Sequence, residues 1–136
     1  MLRRFRRHAS GTAAIEFGFI APALLALVMG GVEFGSILYT YAAAEFATND
    51  VARQLATNRI SQSQVQSAIV PRLPAWAQAN AAASATATNA STPSSNIYTV
   101  TTTIPMANAT PSTYLRSFYG SRTLHIVVSV QQEPTS

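Results

Sequence analysis

Cysteine is absent from the 136 residues, which excludes a disulfide framework and thiolate chemistry while leaving the compartment open. Acids are scarce, five against nine basic residues, for a formal net charge of +4. Only two histidines occur, His8 among N-terminal arginines and His125 alternating with apolar strand residues, so a metal site lacks ligands at usable spacing. No glycine-rich phosphate loop follows a strand, and no Gly-x-Ser-x-Gly elbow occurs. A catalytic reading therefore finds no constellation of acid, base and nucleophile, and no cofactor is implied. The length allows one small domain beside a membrane segment and excludes a multidomain enzyme.

The basic balance is local. Arg3, Arg4, Arg6 and Arg7 carry the whole excess, and without residues 1–11 five charges of each sign would remain. This describes a leader and not a nucleic-acid-binding surface. Basic residues beside an apolar segment predict an N-terminus held in the cytoplasm and a C-terminal part sent across the membrane. Arg3-Arg4 as a twin-arginine export signal finds no continuation.

What the chain has in abundance is apolar helix. After Glu16 no charge appears until Glu33, and none again until Glu45. Thr12 to Val32 makes about 31 Å of helix at about 1.5 Å per residue, matching a hydrocarbon core of about 30 Å. A carboxylate in that core costs about 2.5–3.5 kcal/mol on insertion scales, so Glu16 needs a partner. Cleavage after Gly11 would make one, because the new Thr12 α-amino group, with a pKa of roughly 7.7–8.0, is mostly cationic at neutral pH. Glu16 lies about 6 Å further along the helix, within reach of that amine in its own or a neighbouring subunit.

Glu33 follows about 25 Å along the axis and roughly 100° around it, sharing neither depth nor face with Glu16. We read it as marking the outer interface, where its charge reaches water. Gly31 and Gly35 form a small-xxx-small pair that lets another helix approach. Pro22 removes a backbone donor inside the span, and both a softened segment and plain tolerance of proline stay open. A secretory signal cut near Ala42-Ala43-Ala44 is a competing reading of the apolar run, but it leaves Glu16 unexplained.

The basic leader, Gly11, Glu16 at the fifth position after it, Phe17 and the apolar helix together resemble the processing site of type IV pilin-like proteins. With Pro22, Gly31-Val32-Glu33-Phe34-Gly35 and Ala52-Arg53, the chain up to about Arg59 resembles the TadE family of pseudopilins, or minor pilins, in tight-adherence (Flp) pilus systems. That resemblance implies a structural subunit, not an enzyme. It implies cleavage between Gly11 and Thr12 by a prepilin peptidase with intramembrane aspartates, with Glu16 and Phe17 serving recognition and assembly. The implied partners are that peptidase, the major pilin, other pseudopilins and the pilus secretion platform. The implied location is the bacterial inner membrane, single-pass, with the N-terminus cytoplasmic and the head periplasmic, and with pilus association. The alternative is an uncleaved single-pass membrane anchor carrying a periplasmic interaction module.

The predicted organisation is a leader at 1–11, a transmembrane and extended helix at 12–58, and a small extracytoplasmic head at 59–136. Beyond the span, Ile37, Tyr41, Ala44, Thr48, Val51 and Leu55 fall on one helical face and Glu45, Asn49 and Arg53 on the other, as far as about Asn58. Ser61 and Gln64 form a capping box, with Ile60 and Val65 at the staple positions, so a short helix is expected over Gln62 to Val70, ended by Pro71. Leu73 to Ala83 has room for another helical turn or two, with Trp76 as its large anchor. The stretch at 79–96 is almost wholly Ala, Ser, Thr and Asn; its second half reads as a mobile loop and a helical first half stays open.

Two segments alternate with period two. Tyr98, Val100, Thr102 and Ile104 oppose Thr99, Thr101 and Thr103, and Leu124, Ile126, Val128 and Val130 oppose His125, Ser129 and Gln131. Pro111 to Tyr119, closed by Gly120, links them as a short helix or turn. The expected fold is thus α+β: an N-terminal transmembrane helix extended into a long amphipathic helix, followed by a small head with an antiparallel β pair. The threonines of the first strand suit exposed strand positions without any ligand.

Overall fold

The computed structural model describes residues 9–112 and 114–133. The leader arginines and His8 lie outside the described residues. The chain divides into two compact units after Gly35.

In the first unit, helix α1 (Ala9–Ala56) presents residues 11–32 to the surroundings on all sides, with Ala21 and Gly30 only partly exposed. A helix apolar all round requires a lipid environment or a protein core around it. Among the described residues α1 is the helix long and apolar enough to cross a membrane, and none of its most apolar stretch is buried. Pro22 lies inside α1 without ending it. Glu33, expected to carry its charge to water, is instead buried, with 3% of its surface exposed.

The second unit begins at Ser36 and contains the remainder of α1. The buried line there runs Thr40, Ala44, Ala47, Thr48, Val51, Ala52 and Leu55. Tyr41, expected on this face, is exposed instead. The covered face is built of alanine, threonine and valine, which let the sheet come close; a phenol ring would hold helix and sheet apart. The helix ends in a Schellman motif at Ala56, two residues before the expected end. Arg59 N–H donates to Gln54 O at 2.9 Å and Asn58 N–H to Leu55 O at 3.1 Å, with Asn58 in the left-handed region at φ 57°.

A capping interaction then starts the next element, as the sequence predicts. Ser61 N–H donates to Gln64 Oε1 at 2.9 Å, and Ile60 packs on the cluster that contains Val65. A 3-10 turn (Gln62–Gln64) leads into α2 (Val65–Ile69), shorter than expected because Pro71 tightens the chain into a second 3-10 turn (Val70–Arg72). Helix α3 (Ala75–Gln78) follows Pro74.

The sheet has three antiparallel strands in sequence order, β1 (Ala82–Ala87), β2 (Ile97–Pro105) and β3 (Thr123–Gln131). β2 and β3 are the two strands read from alternation, paired with Val100 opposite Val128 and Thr102 opposite Ile126. β1 is the correction: the first half of the Ala/Ser/Thr/Asn-rich stretch, where a helix had stayed open, supplies a strand instead, with Ala85 opposite Val100. It needs no large side chains, because Ala83, Ala85 and Ala87 pack against a core already filled by Val51, Leu55, Val65 and Ile69. Its outer edge is closed by α2, whose Gln66 accepts from Ala83 N–H and donates to Ala81 O at 3.2 Å.

One sheet face meets α1 and α2, and the hydroxyl-rich face with Thr99, Thr101 and Ser129 turns outward. Leu55, Ile69, Ile104, Val51, Val65 and Val100 are fully buried, each contributing about 1.5–3 kcal/mol by its removal from water. A short helix α4 (Arg116–Tyr119), closed by Gly120 at φ 54°, joins β2 to β3. At the opposite end, buried Asn96 donates to Gln132 Oε1 at 2.8 Å while its own Oδ1 accepts from Asn89 N–H at 2.9 Å. Glu133 N–H meets the Ala56 carbonyl at 2.9 Å. The strand end therefore satisfies one of the orphan carbonyls of α1.

Candidate functional site

Gly11, Thr12, Glu16 and Phe17 lie within the first turns of α1, and all four are exposed. A Cβ placed on Gly11 would meet nothing within 4 Å. Packing inside this chain therefore does not require glycine there, and any demand for a small residue must come from a molecule that grips the backbone. Glu16 stands one turn beyond Thr12, which in α1 is a rise of about 6 Å. In the intact chain Thr12 carries a neutral peptide group, so only cleavage would set a cation opposite the carboxylate.

Gly31 and Gly35 likewise have open space where a Cβ would stand. Among the described residues nothing comes within 4 Å of a Cβ at either position, as a small-xxx-small contact with another helix would require. Phe17 is 71% exposed, which leaves its ring for a partner or for lipid.

In the second unit the ionic feature is the Asp50–Arg72 pair, half-exposed on both sides. The hydrogen bond from Arg72 holds the Asp50 carboxyl below its ordinary range, helped by Gln54 at 2.8 Å. It ties α1 to the turn before α3, a structural role. An open cleft of about 650 Å³ is lined by Leu55, Arg59, Tyr98 and residues 60–64, among others. It contains an arginine but neither a carboxylate nor an imidazole, so it offers no acid–base pair. Among the described residues no group of His, Asp and Glu is placed to hold a metal ion. His125 is exposed on the outer sheet face, with Nε2 at 2.6 Å from Thr123 Oγ1.

Thr40 was not singled out in the sequence, where a threonine on an apolar stripe carries no signal of its own. Its hydroxyl donates to Ala109 O at 2.7 Å and accepts from Trp76 Nε1 at 3.1 Å. Trp76, expected as an anchor, is only partly covered, its ring lying 6.2 Å from that of Tyr39.

Residues 11–53 match the family described as TadE-like protein. The match opens at Gly11 and closes at Arg53, so it takes in Thr12, Glu16, Phe17, Gly31 and Gly35 and stops inside α1. No curated protein and no solved structure matches the chain.

Proposed function

We propose that this chain is a structural minor pilin or pseudopilin acting in assembly of a tight-adherence pilus, cut after Gly11 by a prepilin peptidase. The observation that carries this reading is the TadE-like match over 11–53, a family of pilus-associated structural proteins, falling on an apolar helix that suggests a single-pass anchor. In this reading the N-terminus starts on the cytoplasmic side of the bacterial inner membrane and the second unit stands in the periplasm. After cleavage the Thr12 amine and Glu16 pair between neighbouring subunits and set their axial register, while Gly31 and Gly35 admit the neighbour's helix. The partners are the peptidase, the major pilin, other pseudopilins and the secretion platform. Function comes from assembly, with no chemistry performed by this chain.

A second reading, the uncleaved anchor with a periplasmic interaction module, draws on one observation: α1 begins before Gly11 and runs through it unbroken. N-terminal sequencing of the protein taken from membranes separates the two. Thr12 as first residue is the expected result, and Met1 as first residue replaces it with the uncleaved anchor.

A further inference from the structure

We infer that the end of the second unit where β2 finishes and β3 begins is a lipid-docking surface, seated on the headgroup region of an anionic phospholipid bilayer. The inference rests on the reading of α1 as a single-pass anchor and not on the pilus role.

Four observations converge on this end. Thr40, near the entry of α1 into this unit, binds both Trp76 of α3 and the Ala109 carbonyl of the loop after β2, so α3 and that loop are held against the same turns of α1. Arg116 Nε donates to Ala107 O at 3.3 Å, which draws α4 onto the loop. Four exposed aromatic side chains stand at this end, Tyr39, Trp76, Tyr114 and Phe118, the last two 74% exposed, while Tyr41 and Phe46 are exposed further along α1. The opposite end is built of the polar clasp of Asn58, Asn96 and Gln132, where Ile97 is the large apolar side chain exposed among the described residues.

Charge points the same way. Residues 106–123 contain Arg116 and Arg122, both exposed, and no acid. Tyrosine and tryptophan favour the headgroup zone, where the ring meets acyl chains and the polar edge meets water. Arginine binds phosphate oxygens bidentately. Exposed aromatic rings beside the two arginines of residues 106–123 match an anionic bilayer, which takes up both the rings and the charges.

Trp76 is the single tryptophan of the chain, which permits a direct test with the full-length protein in vesicles of phosphatidylglycerol and phosphatidylethanolamine. Trp76→Phe combined with Phe118→Trp moves the reporter to α4, and Trp76→Phe combined with Ile97→Trp moves it to the opposite end. Brominated acyl chains should quench the reporter at 118 by about half and leave that at 97 unaffected, with acrylamide showing the reverse order. Arg116→Glu with Arg122→Glu, or zwitterionic lipid throughout, should weaken quenching at 118. Equal acrylamide access at both positions without lipid quenching overturns the inference. So does shielding at 118 from both quenchers that grows with protein-to-lipid ratio, since protein would then cover the patch. Flotation with the vesicles reads the anchor separately: a chain that fails to float removes the anchor and this inference together, whereas flotation with an unquenched reporter removes the inference alone.

Discussion

Thr48 and Thr102 share a hydroxyl–hydroxyl hydrogen bond of 2.7 Å, fully buried between α1 and β2. Thr48 Oγ1 also stands 2.7 Å from the Ala44 carbonyl. A hydroxyl has one proton, so Thr48 donates it to Ala44 and Thr102 donates to Thr48. The helix and the sheet are thereby joined through one buried polar contact.

Thr48→Val should destabilise the second unit by about 1–3 kcal/mol, because it strands the Thr102 hydroxyl in a dry interface. Thr48→Val with Thr102→Val should cost less than the two single changes summed. Urea titration of the full chain in detergent, followed by Trp76 emission, measures this. Additive costs would mean that the two hydroxyls are not coupled.

Asn58 occupies a left-handed position, and its side chain also reaches Glu133 O at 3.3 Å. Asn58→Ala should cost about 1–2 kcal/mol for the backbone conformation alone. Asn58→Gly should cost less, since it removes the side-chain bonds but not the conformational fit. The reverse order in thermal melts would show that the side-chain bonds dominate.

The depressed Asp50 pKa ties stability to acid. The folded value lies below the ordinary carboxylate range, so the Arg72 contact is fully present above the unfolded pKa and is lost as pH falls through the folded one. Asp50 is half-exposed, and screening keeps the effect under about 1 kcal/mol. Asp50→Asn should lower stability slightly at pH 7 and flatten this part of the profile below about pH 4. An unchanged melting temperature at low salt would show that the pair contributes nothing.

For Gly11, replacement by leucine should block processing and leave a precursor that retains residues 1–11. Among the described residues nothing lies within 4 Å of a Cβ at that position, so the fold should persist. Intact-mass measurement decides, and a mutant of normal mature mass rejects the peptidase site.

Glu16→Gln is nearly isosteric and neutral, so it should insert at least as well as the parent. Association should fail, because the Thr12 amine of a neighbour would be left in hydrocarbon without a counter-charge. Membrane crosslinking and counts of pili per cell read this out. Normal crosslinks with parental piliation would mean that Glu16 makes no assembly contact.

The span and the strands β2 and β3 were legible in the chain because each follows a period set by its own backbone. Unbroken apolarity from Thr12 to Val32 needs only a length, and Tyr98-Val100-Thr102-Ile104 needs only alternation. The capping box at Ser61 and Gln64 was legible for the same reason, since both partners lie within one turn. The match over 11–53 belongs here too, for its residues lie on a single helix. What sequence could not contain is whatever depends on a surface from elsewhere in the chain. Ala82–Ala87 has alanine's preference for helix and becomes a strand because β2 offers a ladder and α2 supplies Gln66 to its free edge. Tyr41 and Thr40 differ by one position on α1, and only the approach of the loop at Ala109 decided that the smaller residue is buried and the ring left outside. The gathering of Tyr39, Trp76, Tyr114 and Phe118 at one end was likewise a tertiary outcome, because residues so distant in sequence share a surface only after the sheet has brought its loops together.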